Sequence, residues 1–138
     1  MVLVDTNIVF ALLVQSAPWF AGARELHWRD DDWRIESHGL VELSNVLNRY
    51  VRAKLLKPAD ALAVLSLAES RLGSRIVTVS HQDALGMAMK RKISAYDARF
   101  LCAAEMLGVP LITEDMKLRK AAPDLTCSLT EALTPGTL

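Results

Sequence analysis

A chain of 138 residues, 51% hydrophobic and 6% aromatic, can bury a core without disulfides or a structural metal, and suits one compact α/β domain spanning 1–138. Its 16 basic and 16 acidic side chains cancel, which speaks mildly against nucleic acid as partner, although local patches and a bound cation override a net value of zero. No apolar run approaches the ~20 residues of a membrane span and the N-terminus lacks the basic flank and cleavage site of a signal peptide, so a soluble, cytoplasmic protein with no membrane partner is expected.

Apolar runs and helical patterns alternate along the chain, with no repeat, low-complexity stretch or linker. Val2-Leu3-Val4 reads as a short strand that stops at Asp5. Residues 8–14 and 19–28 read as helices, the second begun after Pro18. The acidic turn Asp30-Asp31-Asp32 leads into a strand at 33–36. A long helix is predicted over 40–54, with Leu40, Leu43, Leu47 and Tyr50 as its buried stripe at helical spacing. Pro58 suits the first turn of the next helix, which Gly73 ends. Residues 75–79 form the third predicted strand. Ser80 with Asp83, and Ser94 with Asp97, have capping-box spacing and open two further helices, ending near Arg91 and at Gly108. A fourth strand is expected over 109–113, a short helix from Met116, and a weak fifth strand around 126–129. The two cysteines, Cys102 and Cys127, have no metal-ligand spacing and read as small buried hydrophobes of a reducing compartment.

Strands separated by helices imply a mainly parallel sheet with right-handed crossovers, hence a three-layer α/β/α sandwich. Ligands of such sheets sit beyond the carboxyl ends of the strands, where strand order reverses. Asp5 and Asp115 lie at or just beyond such ends, and Asp97 opens a helix that starts on the same edge. Glu42, in the first turn of the helix after the second strand, can reach that edge too. Each acid taken singly has a plain structural explanation. Asp5 and Asp115 suit helix caps, Glu42 complements a helix dipole, and Asp97 fits the third position of a capping box. Together they are harder to dismiss, because ionised carboxylates gathered in a cleft repel by several kcal/mol per close pair at an effective dielectric of about 20. Such a cluster calls for a cation, and all-oxygen ligands select Mg²⁺ or Mn²⁺ over zinc.

Four segments carry a resemblance to a known family. They are Val4-Asp5-Thr6-Asn7; the run from Ser37 through Glu42 to Leu47; the run from Ser94 through Asp97 to Ala104; and Leu111-Ile-Thr113-Glu-Asp115-Met-Lys-Leu118. In order and spacing they resemble PIN-domain ribonucleases, above all the toxin nucleases of VapBC toxin–antitoxin pairs, from Met1 to about Leu129. The resemblance implies an endoribonuclease whose acids hold one or two Mg²⁺ or Mn²⁺ ions. Asp5 and Asp97 would bind metal directly, while Glu42 and Asp115 complete the shell directly or through water. Asn7 and Thr113 would orient these carboxylates. It further implies an RNA substrate, a cognate antitoxin and a homodimer. An RNA-processing or scaffold role for the same domain is the alternative, which the short chain without an appended RNA-binding domain disfavours.

Lys117 and Arg119 follow Asp115 closely and are candidate RNA contacts, whereas Lys90-Arg91-Lys92 suits a helix C-terminus. Glu114 is expected to face solvent. Trp19, Phe20 and Trp28 are expected to pack into the core, the rival being an apolar groove for an antitoxin. His27, His38 and His81 show no zinc or triad spacing. A receiver-like binding domain would want an acid after the third strand and a Lys after the fifth; the third ends at Ser80 and no suitable Lys follows the fifth.

Overall fold

The computed structural model describes residues 1–136. β1 (Val2–Val4) leads into α1 (Thr6–Leu13), α2 (Phe20–Arg29) and β2 (Trp33–Glu36). α3 (Gly39–Arg52) and α4 (Pro58–Leu72) continue through one 3-10 turn (Gly73–Arg75) to β3 (Ile76–Val77). α5 (His81–Arg91) and α6 (Ala95–Leu107) precede β4 (Leu111–Ile112). α7 (Met116–Ala121), β5 (Thr126–Cys127) and α8 (Leu129–Leu133) follow.

The strands make one all-parallel sheet in the order β3-β2-β1-β4-β5. β1 is central, with Leu3 paired to Arg34 on one side and to Leu111 on the other. The chain winds from β1 outward to β3, then crosses back to the far side of β1 for β4 and β5. Right-handed crossovers on opposite sides of the start strand put helices on opposite faces. α1 accordingly packs against α2, α3 and α4, whereas α5 packs along α6, which lies on β2 and β4. The expected three-layer α/β/α sandwich is the observed one. Val4, Leu3, Ile35, Leu111 and Ile112 are at most 1% exposed, since each strand is covered on both faces.

Local chemistry sets the element ends. Asp5, Ser80, Ser94, Asp115 and Ser128 each cap a helix N-terminus with a side-chain oxygen. Pro58 occupies the first turn of α4. Gly108 closes α6 at φ +67°, a left-handed conformation that glycine adopts without strain. Gly39 is needed for another reason: a Cβ there would run into the Ile35 side chain, so the start of α3 can lie on β2 only without one.

Several expectations are corrected. β3 and β4 pair over two residues each rather than five, because Arg75 belongs to the preceding turn and Thr113 already turns toward α7. Ser128 and Leu129, expected in the last strand, instead open α8 through a complete capping box with Glu131. Trp19 and Trp28 are 50% and 86% exposed and so lie outside the core. In the stripe of α3, Leu43 and Leu47 are buried, and Leu40 and Tyr50 pack against the core only in part.

Candidate active site

Strand order reverses between β1 and β4, and the acids converge beyond the carboxyl ends of those two strands. Asp5 ends β1, and its backbone N–H still donates to the Ile112 carbonyl at 3.0 Å, extending the ladder. Its carboxylate is held on both oxygens. Oδ1 accepts from the Thr6 N–H at 2.7 Å; Oδ2 accepts from the Thr113 hydroxyl at 2.7 Å and the Asn7 amide at 3.3 Å. Asn7 also donates to Thr113 Oγ1, and its carbonyl oxygen accepts from the Glu114 N–H. Thr113 Oγ1 in turn accepts from the Asp115 N–H at 3.0 Å. Asn7 and Thr113 therefore tie the two strand ends together and fix the Asp5 carboxylate between them.

Glu42, half-buried in the first turn of α3, accepts from the Thr6 hydroxyl at 3.0 Å. Asp115 caps α7, with Oδ1 accepting from the Leu118 N–H at 3.1 Å. Asp97 separates two roles that the sequence leaves merged. Its backbone N–H donates to Ser94 Oγ at 3.0 Å, but no reciprocal bond from its carboxylate to the Ser94 N–H occurs among the described residues. The cap uses the backbone and leaves the carboxylate for the cavity.

All four acids line one cavity of about 330 Å³, with Thr6 and Asn7 on the same wall. The rest of the lining is largely apolar and aromatic: Phe10, Pro18, Trp19, Val46 and Tyr50, with Arg49 following Glu42 and Val46 along the same face of α3. Larger cavities exist, for example about 730 Å³ beside Phe20 and Trp28, but none of them gathers these carboxylates. Among the described residues no three His, Cys, Asp or Glu side chains stand close enough to form a finished metal cage.

The electrostatics follow from this crowding. Burial pushes the Asp5 carboxyl up to about 7, against the lowering effect of its bonds from Thr113 and Thr6, with the charges of Glu42 and Asp115 adding to the rise. Burial also raises Glu42, which Thr6 partly offsets and Asp97, Asp115 and Glu36 reinforce. Asp97 is raised by burial and by Asp115, while the Ser94 hydroxyl and the Lys117 ammonium pull it back.

Of the two candidate RNA contacts, Lys117 thus lies within electrostatic reach of Asp97. Arg119, two residues on, points to the other side of α7, at 3.8 Å from Glu114 and 3.7 Å from Glu131. Glu114 does not face solvent as expected. Its carboxylate accepts from the Leu129 N–H at 2.7 Å and so anchors the start of α8.

Sequence reasoning missed Thr6, whose hydroxyl holds Glu42, and missed the pair behind α6. Glu36, fully buried at the end of β2, accepts from Arg99 Nε at 2.9 Å and from the His38 N–H at 2.6 Å. Arg99 also donates to the Val79 carbonyl at 2.9 Å. The pair bolts β2 and the segment that follows β3 to the first turns of α6, with Arg99 two residues from Asp97. An acid at the carboxyl end of a strand was the available signal for Glu36; nothing local marked Arg99 as its partner.

The PIN domain family profile covers residues 2–123. Ribonuclease VapC3 of Pyrobaculum aerophilum is 30% identical over 139 aligned residues, covering 88% of this chain and 95% of that protein. Two solved structures share the fold. PAE2754 from Pyrobaculum aerophilum superposes with a TM-score of 0.72 at 22% identity, covering 93% of this chain and 83% of that one. FitAcB from Neisseria gonorrhoeae gives 0.61 at 17% identity, covering 93% and 96%. With the profile spanning most of its length and such a relative along nearly all of it, this chain belongs to the PIN-domain family.

Proposed function

We propose that the protein is a Mg²⁺- or Mn²⁺-dependent endoribonuclease that hydrolyses RNA phosphodiester bonds, and that it serves as the toxin of a type II toxin–antitoxin pair. One observation carries the reading: Asp5, Glu42, Asp97 and Asp115, from four separated segments, line a single cavity at the switch point of the sheet. Similarity to a protein named Ribonuclease VapC3 supports both RNA as substrate and the toxin role.

The donor set fits a hard divalent cation. The anionic donors on the cavity are four carboxylates, with no thiol or imidazole in the lining. Asp5, Glu42, Asp97 and Asp115 would hold the ion, which when bound supplies a Lewis acid at the phosphate and lowers the pKa of water. The chain's own residues prepare the site. Thr113, Asn7 and Thr6 fix two carboxylates at defined angles, so little reorganisation remains when charge is neutralised. Lys117 offsets the negative field around Asp97, and Arg49 gives the cavity a phosphate-binding cation. The nuclease domain spans 1–138 in this reading, acts in the cytoplasm, pairs as a homodimer, and is held inactive by an antitoxin.

Purified protein is expected to cleave RNA only when Mg²⁺ or Mn²⁺ is present, and Asp97→Asn or Asp5→Asn to abolish cleavage. Cleavage in chelator that survives both substitutions overturns the reading. For the toxin role, expression should arrest growth with the wild-type chain and not with Asp97→Asn, and the product of a short neighbouring reading frame should relieve the arrest. Unimpaired growth would move the protein to an RNA-processing or scaffold role.

A further inference from the structure

Trp19 stands where a large apolar side chain has no packing reason to be. It is 50% exposed, yet it lines the same cavity as the four acids. Its backbone is left-handed, at φ 65° and ψ 10°, a conformation that a residue bearing a Cβ adopts only under strain. The position is the N-cap of α2, and its carbonyl accepts from the Ala23 N–H at 2.9 Å, but its side chain makes no capping hydrogen bond. Glycine or asparagine would serve the turn at less strain. What tryptophan adds is an indole face at the mouth of the acidic cavity. Arg49 lines the same cavity, exposed and without an ion-pair partner among the described residues.

We propose that Trp19 is the platform on which an unpaired base of the RNA stacks, with Arg49 holding a neighbouring phosphate, so that the scissile phosphate is presented to the carboxylates of the same cavity. The inference rests on the nuclease reading and deepens it by naming the side chains that position the substrate beside the acids. Stacking on an indole needs a free base face and tolerates any base. A base paired within a duplex has no such face available, and A-form RNA buries its stacked faces along the helix. A guanidinium beside the indole supplies the counter-charge for the phosphate that follows the stacked base. The cavity volume of about 330 Å³ leaves room for one nucleotide rather than several.

The test separates binding from cleavage. In an Asp97→Asn background with Mg²⁺ present, binding of a fluorescein-labelled unstructured oligoribonucleotide is measured by anisotropy for Trp19, Trp19→Gly and Trp19→Phe. Trp19→Gly is expected to weaken binding by about five- to one-hundred-fold, the range for loss of one stacked base. Trp19→Phe should retain most of the affinity. The same oligonucleotide made abasic throughout should bind all three proteins with the weak affinity of the glycine variant, and a blunt RNA duplex should show no dependence on residue 19. Because glycine relieves the left-handed strain, Trp19→Gly is expected to melt no lower than its parent. A glycine variant that melts lower, or that binds unstructured RNA as tightly as its parent, overturns the proposal. So does an abasic strand that binds as tightly as the intact one. Failure of the nuclease reading shows elsewhere, as absence of metal-dependent cleavage by the unsubstituted protein, and leaves the dependence on Trp19 measurable.

Discussion

Asp5 is 6% exposed, carries three hydrogen bonds, and still has its carboxyl pushed up to about 7. The fold therefore tolerates its charge rather than using it for stability. The sign follows from linkage. A group whose folded pKa lies above its ordinary value binds more protons when folded, so stability falls as pH rises between the two values. For Asp5 that window runs from 3.8 to about 7, and the slope from this group is at most about 1.4 kcal/mol per pH unit. In chelator, the melting temperature of the protein is expected to fall as pH rises through that window. Asp5→Asn should flatten the fall and melt higher than the parent at the neutral end. Thermal unfolding across the window measures both, and a parent that stabilises with rising pH there contradicts the assignment. Thr113, the largest influence lowering Asp5, works in the opposite sense, so its hydroxyl is what keeps the carboxylate ionisable near neutrality. These roles were partly legible in the sequence. An acid at the end of an apolar strand, with Thr and Asn nearby, points to this chemistry, but the 108-residue separation of Asp5 and Thr113 hides their contact.

At the scale of elements, the helices were more legible than the strands. Helical periodicity and caps act within a few residues, so α3 starts one residue before the predicted 40, and α4, α5 and α6 start where Pro58, Ser80 and Ser94 suggest. Strand length depends on which neighbour offers a ladder, and β3 and β4 lose pairing where their flanks turn into other structure. The Ser128–Glu131 capping box of α8 is present in the sequence but follows Thr126-Cys127 so directly that the two merge into one apparent strand. Trp19 and Trp28 mislead for the opposite reason: a helical segment with aromatics looks buried until its neighbours are placed, whereas Trp28 faces solvent and Trp19 lines the open acidic cavity. Gly39 gives this scale its prediction. Its missing Cβ lets α3 lie on Ile35, which is fully buried and has nowhere to retreat. Gly39→Ala should cost about 1–3 kcal/mol, the usual range for overpacking a core. Because Glu42 is one turn further along α3, cleavage should fall more than the loss of folded protein explains. Denaturant unfolding beside activity per folded molecule checks this, and an unchanged midpoint would show that the contact is soft.

At the scale of the molecule, zero net charge coexists with an uneven surface field. The mouth of the acidic cavity has Arg49 on one wall and Lys117 on α7, whereas Arg91, Arg99 and Arg119 are engaged with Asp124, Glu36 and Glu114. Few phosphates can then be neutralised directly. For single strands the logarithm of affinity falls with the logarithm of salt at about 0.7 per phosphate contact. Two contacts give a shallow slope of about −1.4, and Lys117→Met should reduce it by about 0.7. Titrating binding of the Asp97→Asn protein against salt reads both numbers. A slope several times steeper would mean that a further basic surface carries the RNA. The balanced composition, which argued mildly against a nucleic-acid partner, is better understood as a sign of few contacts.

The switch point has a further consequence in time rather than in space. Asp5 and Glu42 belong to the first third of the chain, while Asp97, Thr113 and Asp115 come near its end, and the two groups meet only when β1 pairs with β4 at Leu3 and Leu111. During synthesis the early acids leave the ribosome without their counterparts. A nuclease assembled this way, on the reading proposed above, cannot cut RNA until its message has been read past Asp115, so the nascent chain stays inert until β4 and the start of α7 have been made.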